Sequence, residues 1–199
     1  MKKIEGTLQF ETITPEMCGE YIGQTIKLQG FIHKVRKMSG FAFVVLRTQR
    51  TLVQCVYTPE KAGFDAETLR EEMPVIITGE VRAEPRSRTG WELDLTGCEI
   101  LSTPAAEPPA VINGKTLSLS LDTLLDLRPV TLRNPEQRAI FKIQEGIADG
   151  FRDYLTRNRF IEIHSPKLVA TGAEGGANVF ALDYFGQDAY LAQSPQFYK

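Results

Sequence analysis

The pattern that most restricts this chain is apolar alternation in its first half. Ile26, Leu28, Gly30 and Ile32 alternate with Lys27, Gln29, Phe31 and His33, which is the two-residue period of a strand with one buried face. Short β-rich runs follow at 41–46 and 52–57, separated by polar residues. Val75, Ile77, Gly79 and Val81 alternate again, and so do Trp91, Leu93 and Leu95 after the turn-rich basic segment 85–90. Between the third and fourth runs, residues 65–72 read as a helix ended by Pro74. Three strands, a helix and two strands is the order of a five-stranded Greek-key OB barrel. An SH3-like or other small barrel is the alternative that this pattern leaves open.

The character of the chain changes after the fifth run. Residues 102–114 (STPAAEPPAVING) contain Pro104, Pro108 and Pro109, which disfavour both helix interior and central strand. This stretch reads as an extended, semi-rigid linker. Beyond it the period becomes helical, first in a short run at 121–128. Asn134-Pro135 is a start signal, because Asn caps and Pro suits the first helical position. Ile140, Ile143, Ile147, Phe151 and Tyr154 then follow helical spacing to about Asn158. Residues 160–163 read as a strand ended by Pro166. The expected fold is therefore α+β, with domains at 1–102 and 119–199 joined by a linker at 103–118. There are no internal repeats.

Charge and cysteine usage narrow the function classes. The net charge is only −2, yet 25–50 carries Lys27, Lys34, Arg36, Lys37, Arg47 and Arg50 with no Asp or Glu. A basic zone in a mildly acidic chain suits a phosphate-facing surface. Cys18, Cys55 and Cys98 are far apart, without the paired spacing of a zinc site. Sparse, odd cysteines fit a reducing compartment. No apolar run is long enough for a membrane span, and no signal peptide is recognisable.

Three segments carry a family resemblance. Residues 151–168 (FRDYLTRNRFIEIHSPKL) resemble motif 1 of class II aminoacyl-tRNA synthetases, with Pro166 as the motif's proline. The strings TGAEGGANVF at 171–180 and LAQSPQFYK at 191–199 resemble aspartyl-tRNA synthetases of the archaeal and eukaryotic type. The resemblance covers essentially the whole chain. It implies an anticodon-binding OB barrel followed by the opening of a synthetase domain. The implied activity is ATP- and Mg²⁺-dependent activation of L-aspartate and its transfer to tRNA-Asp, in the cytoplasm, by a homodimer built through motif 1.

The same resemblance assigns residues. Glu174 would face the α-ammonium of aspartate from a glycine-rich lid, and Gln196 would offer its amide. Lys199 would pair the side-chain carboxylate, a fixed cation that rejects the amide of asparagine. Gln193 and Ser194 would stand behind them. On the barrel, Phe43 would stack on an anticodon base, Gln54 would read a base edge, and Arg36 would contact base or phosphate. Glu84 would reach the third base. Family members that reject tRNA-Asn tend to have Trp in place of His33 and Lys near Pro85, so His33 and Pro85 resemble the type that also aspartylates tRNA-Asn. The family's ATP-binding arginines and Mg²⁺ carboxylates follow the QSPQ segment, so the 199 residues alone are expected to lack activity, with no catalytic or metal-binding residue among them. A non-catalytic OB-fold RNA-binding module is the competing reading.

Overall fold

The computed structural model describes residues 17–49, 51–171 and 178–198. The chain divides into two compact units, Met1–Phe141 and Lys142–Lys199. In the first, strands β1 (Thr25–Lys37), β2 (Ala42–Arg47), β3 (Leu52–Tyr57), β4 (Pro74–Ala83) and β5 (Trp91–Ile100) close into a barrel in the order β1-β2-β3-β5-β4. This is the OB arrangement, so the barrel expectation holds over its alternatives. The inward positions of the alternating runs make the core. Ile32, Leu46, Ile77, Leu93 and Leu95 are essentially inaccessible, and such side chains each contribute roughly 1.5–3 kcal/mol by leaving water.

Closing five strands requires β1 to serve two neighbours. Its first half pairs with β4, its second half with β2, and Phe31 faces both Pro74 and Arg47. The β1–β2 register shifts between Ile32 and Lys34, and β4–β5 shifts between Thr78 and Gly79. Bulges of this kind bend strands sharply enough to close a small barrel. Gly30 and Gly79 sit where strands approach most closely. A Cβ at either would lie 2.6 Å from a carbonyl oxygen, of Arg47 and Asp94 respectively.

The expected helix at 65–72 is not formed. A single 3-10 turn, Ala66–Thr68, is capped by the Asp65 carboxylate, which accepts from the Glu67 N–H at 2.9 Å. Ala66, Leu69 and Met73 are indeed buried at helix-like spacing, but they cover the barrel end from a turn. The segment must instead deliver Glu72 to the β1 bulge. Glu72 adopts φ 65°, its N–H donates to Ile32 O at 2.8 Å, and its carboxylate receives the Arg47 guanidinium on both oxygens. Arg133 donates to the same carboxylate at 2.7 Å. His33, the bulged residue, is buried beside them, and its Nδ1 has no hydrogen-bond partner among the described residues.

Residues 101–120 form neither helix nor strand, but part of the stretch is held. Ile112 and Leu117 are buried, and the Asn134 amide donates to Ile112 O at 2.9 Å and Gly114 O at 2.8 Å. The Asn134 Oδ1 accepts from the Glu136 N–H at 2.9 Å, capping the long helix as expected. Two short helices, α1 (Leu121–Asp126) and α2 (Arg128–Thr131), precede that helix, α3 (Pro135–Arg157).

In the second unit, β6 (Leu168–Val169), β7 (Ala181–Tyr184) and β8 (Gln187–Leu191) form an antiparallel sheet in the order β6-β8-β7. Phe185 and Gly186 both take positive φ in the two-residue β7–β8 turn, as right-handed strand twist requires. The expected strand at 160–163 is absent. No described strand pairs with it, and Ile161 is 86% exposed; strand character in a sequence needs a partner to satisfy its backbone. The α3 spacing does give one apolar face, but Ile143, Ile147, Phe151 and Tyr154 are exposed.

Two outcomes follow from the bulge cluster. Glu72→Leu would leave two guanidinium groups around a buried site, costing about 3–5 kcal/mol. Urea unfolding followed by the single tryptophan, buried Trp91, is expected to show that loss, and the double variant Arg47→Met/Glu72→Leu to recover part of it. Burial, and then the neighbouring Arg47, hold the His33 imidazole below its ordinary 6.5. Burial pushes the Glu72 carboxyl up, but hydrogen bonds from Arg47 and Arg133 more than offset it, leaving it below 4.5. Both groups bind protons less readily folded than unfolded, so their stability contributions are complete at higher pH and lost as pH falls through the depressed values. Stability should therefore begin to decline as pH falls through 6.5, and His33→Leu should remove that first decline while leaving the loss that begins below 4.5. An unchanged slope in the variant would refute the assignment to His33.

Candidate nucleic-acid interface

Strand register decides which side chains share the barrel's outer face. Arg36 on β1 pairs across from Phe43 on β2, and Phe43 pairs across from Val56 on β3. Two pairs along, and so on the same face, Lys34 faces Val45, and Val45 faces Gln54. The inward partners between them are Val35, Val44 and Cys55. Arg36, Phe43, Gln54 and Lys34 therefore lie together on one outward patch of β1–β2–β3. Phe43 is half-buried, with Phe41 against it edge-to-face at 5.3 Å between ring centroids. That contact leaves an aromatic surface braced from one side and flanked by cations, the arrangement that binds unstacked bases.

The basic zone is smaller in three dimensions than in sequence. Arg47 is buried against Glu72, and its guanidinium also lies over the Phe31 ring at 5.3 Å. Lys37 is paired with Glu67. Arg50 lies outside the described residues. Lys34 and Arg36, beside Phe43, together with Lys27, have no ion-pair partner among the described residues. Sequence charge could not separate cations that build the barrel from those that face solvent.

The Gln54 Nε2 donates to the Glu92 carboxylate at 2.6 Å. Glu92 is only 6% exposed and also accepts from Arg82 at 3.3 Å. Arg82 in turn lies 3.5 Å from Asp94, which Lys61 meets at 3.1 Å. Sequence reasoning missed this network. The alternation of Trp91, Leu93 and Leu95 did place Glu92 and Asp94 on the outer face, but only the parallel β3–β5 pairing brings them beside Gln54.

Glu84 and Pro85 occupy the turn between β4 and β5, closed by the Glu84 N–H donating to Gly90 O at 2.9 Å. The Glu84 carboxylate accepts from Arg86 Nε at 2.9 Å and Nη2 at 3.1 Å, and the side-chain hydrogen bond from Arg86 pulls it down to about 2. It is thus a carboxylate already engaged, which a base amine would have to share with Arg86. Pro85 is exposed, whereas His33 is buried at the bulge and presents nothing to the outer face.

The residues expected to hold aspartate are only partly described. Gln196 is exposed in the 3-10 turn Gln196–Tyr198, and its N–H donates to Ser194 Oγ at 3.2 Å. Gln193 and Ser194 are half-buried. Glu174 and Lys199 lie outside the described residues. Pro166 is exposed, just before β6. Among the described residues there is no group of three or more His, Cys, Asp or Glu side chains that could hold a metal ion. No described helix is long and apolar enough to cross a membrane.

Comparison with known proteins agrees with this geometry. A family of OB-fold nucleic acid binding domains matches residues 26–101, and the class II tRNA synthetases (D, K and N) match residues 120–199. The chain is 40% identical to the aspartate–tRNA(Asp/Asn) ligase of Deinococcus radiodurans, covering 94% of this chain and 42% of that protein. It is 36% identical to the aspartate–tRNA(Asp) ligase of Pyrococcus furiosus, covering 92% and 43%. The crystal structure of asparaginyl-tRNA synthetase from Pyrococcus horikoshii with asparaginyl-adenylate superposes with a TM-score of 0.80 at 29% identity, over 94% of this chain and 44% of that one. The chain thus spans less than half the length of these relatives. Residues 120–199 thus belong to the class II tRNA synthetases (D, K and N), behind a closed barrel at 26–101 that belongs to the OB-fold nucleic acid binding domains, and nearly the whole chain is similar to the N-terminal part of aspartate–tRNA ligases.

Proposed function

We propose that this protein is an aspartate–tRNA ligase whose OB barrel holds the tRNA anticodon. The observation that carries the reading is the patch of Arg36, Phe43, Gln54 and Lys34 on one outer face of β1–β3. Phe43 stacks on an unpaired base, Arg36 and Lys34 hold the backbone, and Gln54 meets a base edge. Glu84 contributes to the third base once Arg86 shares it. The aspartate site draws on Glu174, Gln196 and Lys199. ATP and Mg²⁺ serve the activation step through residues in the part of the relatives that this chain does not span. Working boundaries are 1–102 for the anticodon domain, 103–118 for the connection and 119–199 for the synthetase part, supported by the end of β5 at Ile100 and the start of α1 at Leu121. The exposed apolar face of α3, ahead of Pro166, supports a homodimer through motif 1. The sparse thiols support the cytoplasm.

Aspartylation of tRNA-Asn as well as tRNA-Asp rests on His33 and Pro85. Relatives named for both tRNAs and for tRNA-Asp alone match at similar identity. Because His33 is buried in the β1 bulge, its influence is on the path of β1 beneath Lys34 and Arg36, while exposed Pro85 acts at the turn itself.

Binding of the chain to tRNA-Asp and tRNA-Asn transcripts at fixed salt, against an anticodon-swapped control, tests this reading. Anticodon-dependent binding to both is expected, and Phe43→Ala should weaken it by about 1–3 kcal/mol, the worth of one base–aromatic stack. Equal affinity for the swapped control would overturn the anticodon assignment, and binding of tRNA-Asp alone would overturn the dual specificity. The 199 residues by themselves are expected to give no aspartate-dependent ATP–pyrophosphate exchange; measurable exchange would refute the placement of the ATP site.

A further inference from the structure

The Gln54 amide is chemically two-faced, since one end donates and the other accepts. Which end meets a ligand is normally open to rotation about the last side-chain bond. Here it is not. Glu92 lies behind Gln54, 6% exposed, and an ionised carboxylate has only lone pairs to offer. Turning the amide over would set its oxygen against a carboxylate oxygen at the 2.6 Å now spanned by Nε2. Glu92 is itself held. Arg82 donates to its second oxygen at 3.3 Å, and Asp94 at 3.5 Å keeps the Arg82 guanidinium in place. The Gln54 carbonyl oxygen accepts no hydrogen bond from any described residue.

We propose that Glu92 is a positioning residue that locks the Gln54 amide with its carbonyl toward the ligand, so that this point of the barrel face selects a base with a ring N–H on its pairing edge, uracil or guanine, over one whose ring nitrogen is an acceptor there. This rests on the anticodon reading of the β1–β3 patch. Selection then comes from Glu92 and Arg82 as much as from Gln54. A glutamine free to rotate would accept from one base and donate to another, discriminating little. A glutamine held by a carboxylate leaves a base without the donor facing a carbonyl it cannot satisfy, the arrangement that rejects most strongly.

The test is binding of this chain to anticodon stem–loop RNAs. One carries GUC, complementary to an aspartate codon; in others the uridine is 3-methyluridine or the guanosine 1-methylguanosine, so that a ring N–H is blocked. The unaltered protein is expected to bind one blocked loop on the order of tenfold more weakly than the GUC loop. In Glu92→Gln the carboxylate becomes an amide that either donates or accepts, Gln54 rotates, and this preference should fall to within about threefold. The exchange variant Gln54→Glu/Glu92→Gln presents an acceptor whichever way residue 54 turns, and should restore the preference.

A purely structural role for Glu92 would instead weaken binding of all loops equally, leaving the ratio unchanged in Glu92→Gln; that result overturns the proposal. Should the variants lose their fold, the unaltered protein still decides. In a ¹⁵N spectrum one of the two Gln54 side-chain amide protons is expected to be shifted downfield and protected from exchange with water by its bond to Glu92, and two protons exchanging as fast as those of an exposed glutamine overturn the lock. If the unaltered protein binds every loop alike, including an anticodon-scrambled one, the anticodon reading and the proposal fall together. If it distinguishes the scrambled loop but neither blocked loop, only the proposal falls.

Discussion

The barrel depends on a single bend in β1, and that bend is held by a buried charge pair. β1 must leave β4 and join β2 within one strand, and the change of neighbour occurs around Phe31, Ile32 and His33. A bulge at this point opens the ladder and exposes the Ile32 carbonyl, which the Glu72 N–H then satisfies. Glu72 reaches that position only with a left-handed backbone, a conformation that costs a bulky residue on the order of 1 kcal/mol or more. The Arg47 and Arg133 guanidinium groups keep it there. Removing the cations would leave an uncompensated carboxylate, and removing the carboxylate would leave two cations, so no member is dispensable singly. Because Arg133 immediately precedes the Asn134 cap of α3, the same charge cluster fixes where the long helix begins.

This requirement explains which parts of the fold were legible in the sequence. Strands announce themselves by alternation, and three of the five barrel strands appear where Ile26 to Ile32, Val75 to Val81 and Trp91 to Leu95 alternate, the other two at the β-rich runs 41–46 and 52–57. Helix α3 announces itself by Asn134, Pro135 and apolar spacing. Residues 65–72 misled because Ala66, Leu69 and Met73 have helical spacing for another reason: they line the barrel end while the chain is bent to deliver Glu72. Nothing local in the sequence reveals that Glu72 belongs with Arg47, since the pairing depends on a bulge 39 positions away from it, at His33. Arg47 therefore read as part of a basic surface when it is interior.

The candidate interface was legible in type and illegible in detail for a related reason. The basic zone pointed to a phosphate-facing surface and the family resemblance named Arg36, Phe43 and Gln54, which register brings onto one face. The carboxylate beneath Gln54 belongs to β5, reached through a parallel pairing that spans the helix-like segment and all of β4. A partner so distant in sequence leaves no local trace. Yet it determines whether Gln54 offers a donor or an acceptor, and so what the face can recognise. Glu84 makes the same point in reverse. The resemblance assigned it to the third base, and Arg86, two residues away, already engages its carboxylate.

The second unit shows the limit of pattern reading most clearly. The helical spacing of Ile143, Ile147, Phe151 and Tyr154 is sound, and the helix forms, yet the face it defines remains open to solvent. Residues 160–163 alternate like a strand and find no described partner. A periodic apolar face encodes burial without naming what buries it, and an alternating run encodes pairing without naming the other strand. In the first unit these demands are met within about 75 residues of barrel by a core of inward side chains. In the second they are left over, on consecutive elements, on both sides of the turn after α3. Apolar surface on this scale is expensive to leave in water, and both the helix face and the segment after it leave such surface uncovered by the described residues. That leftover surface is the observation on which the proposed homodimer rests.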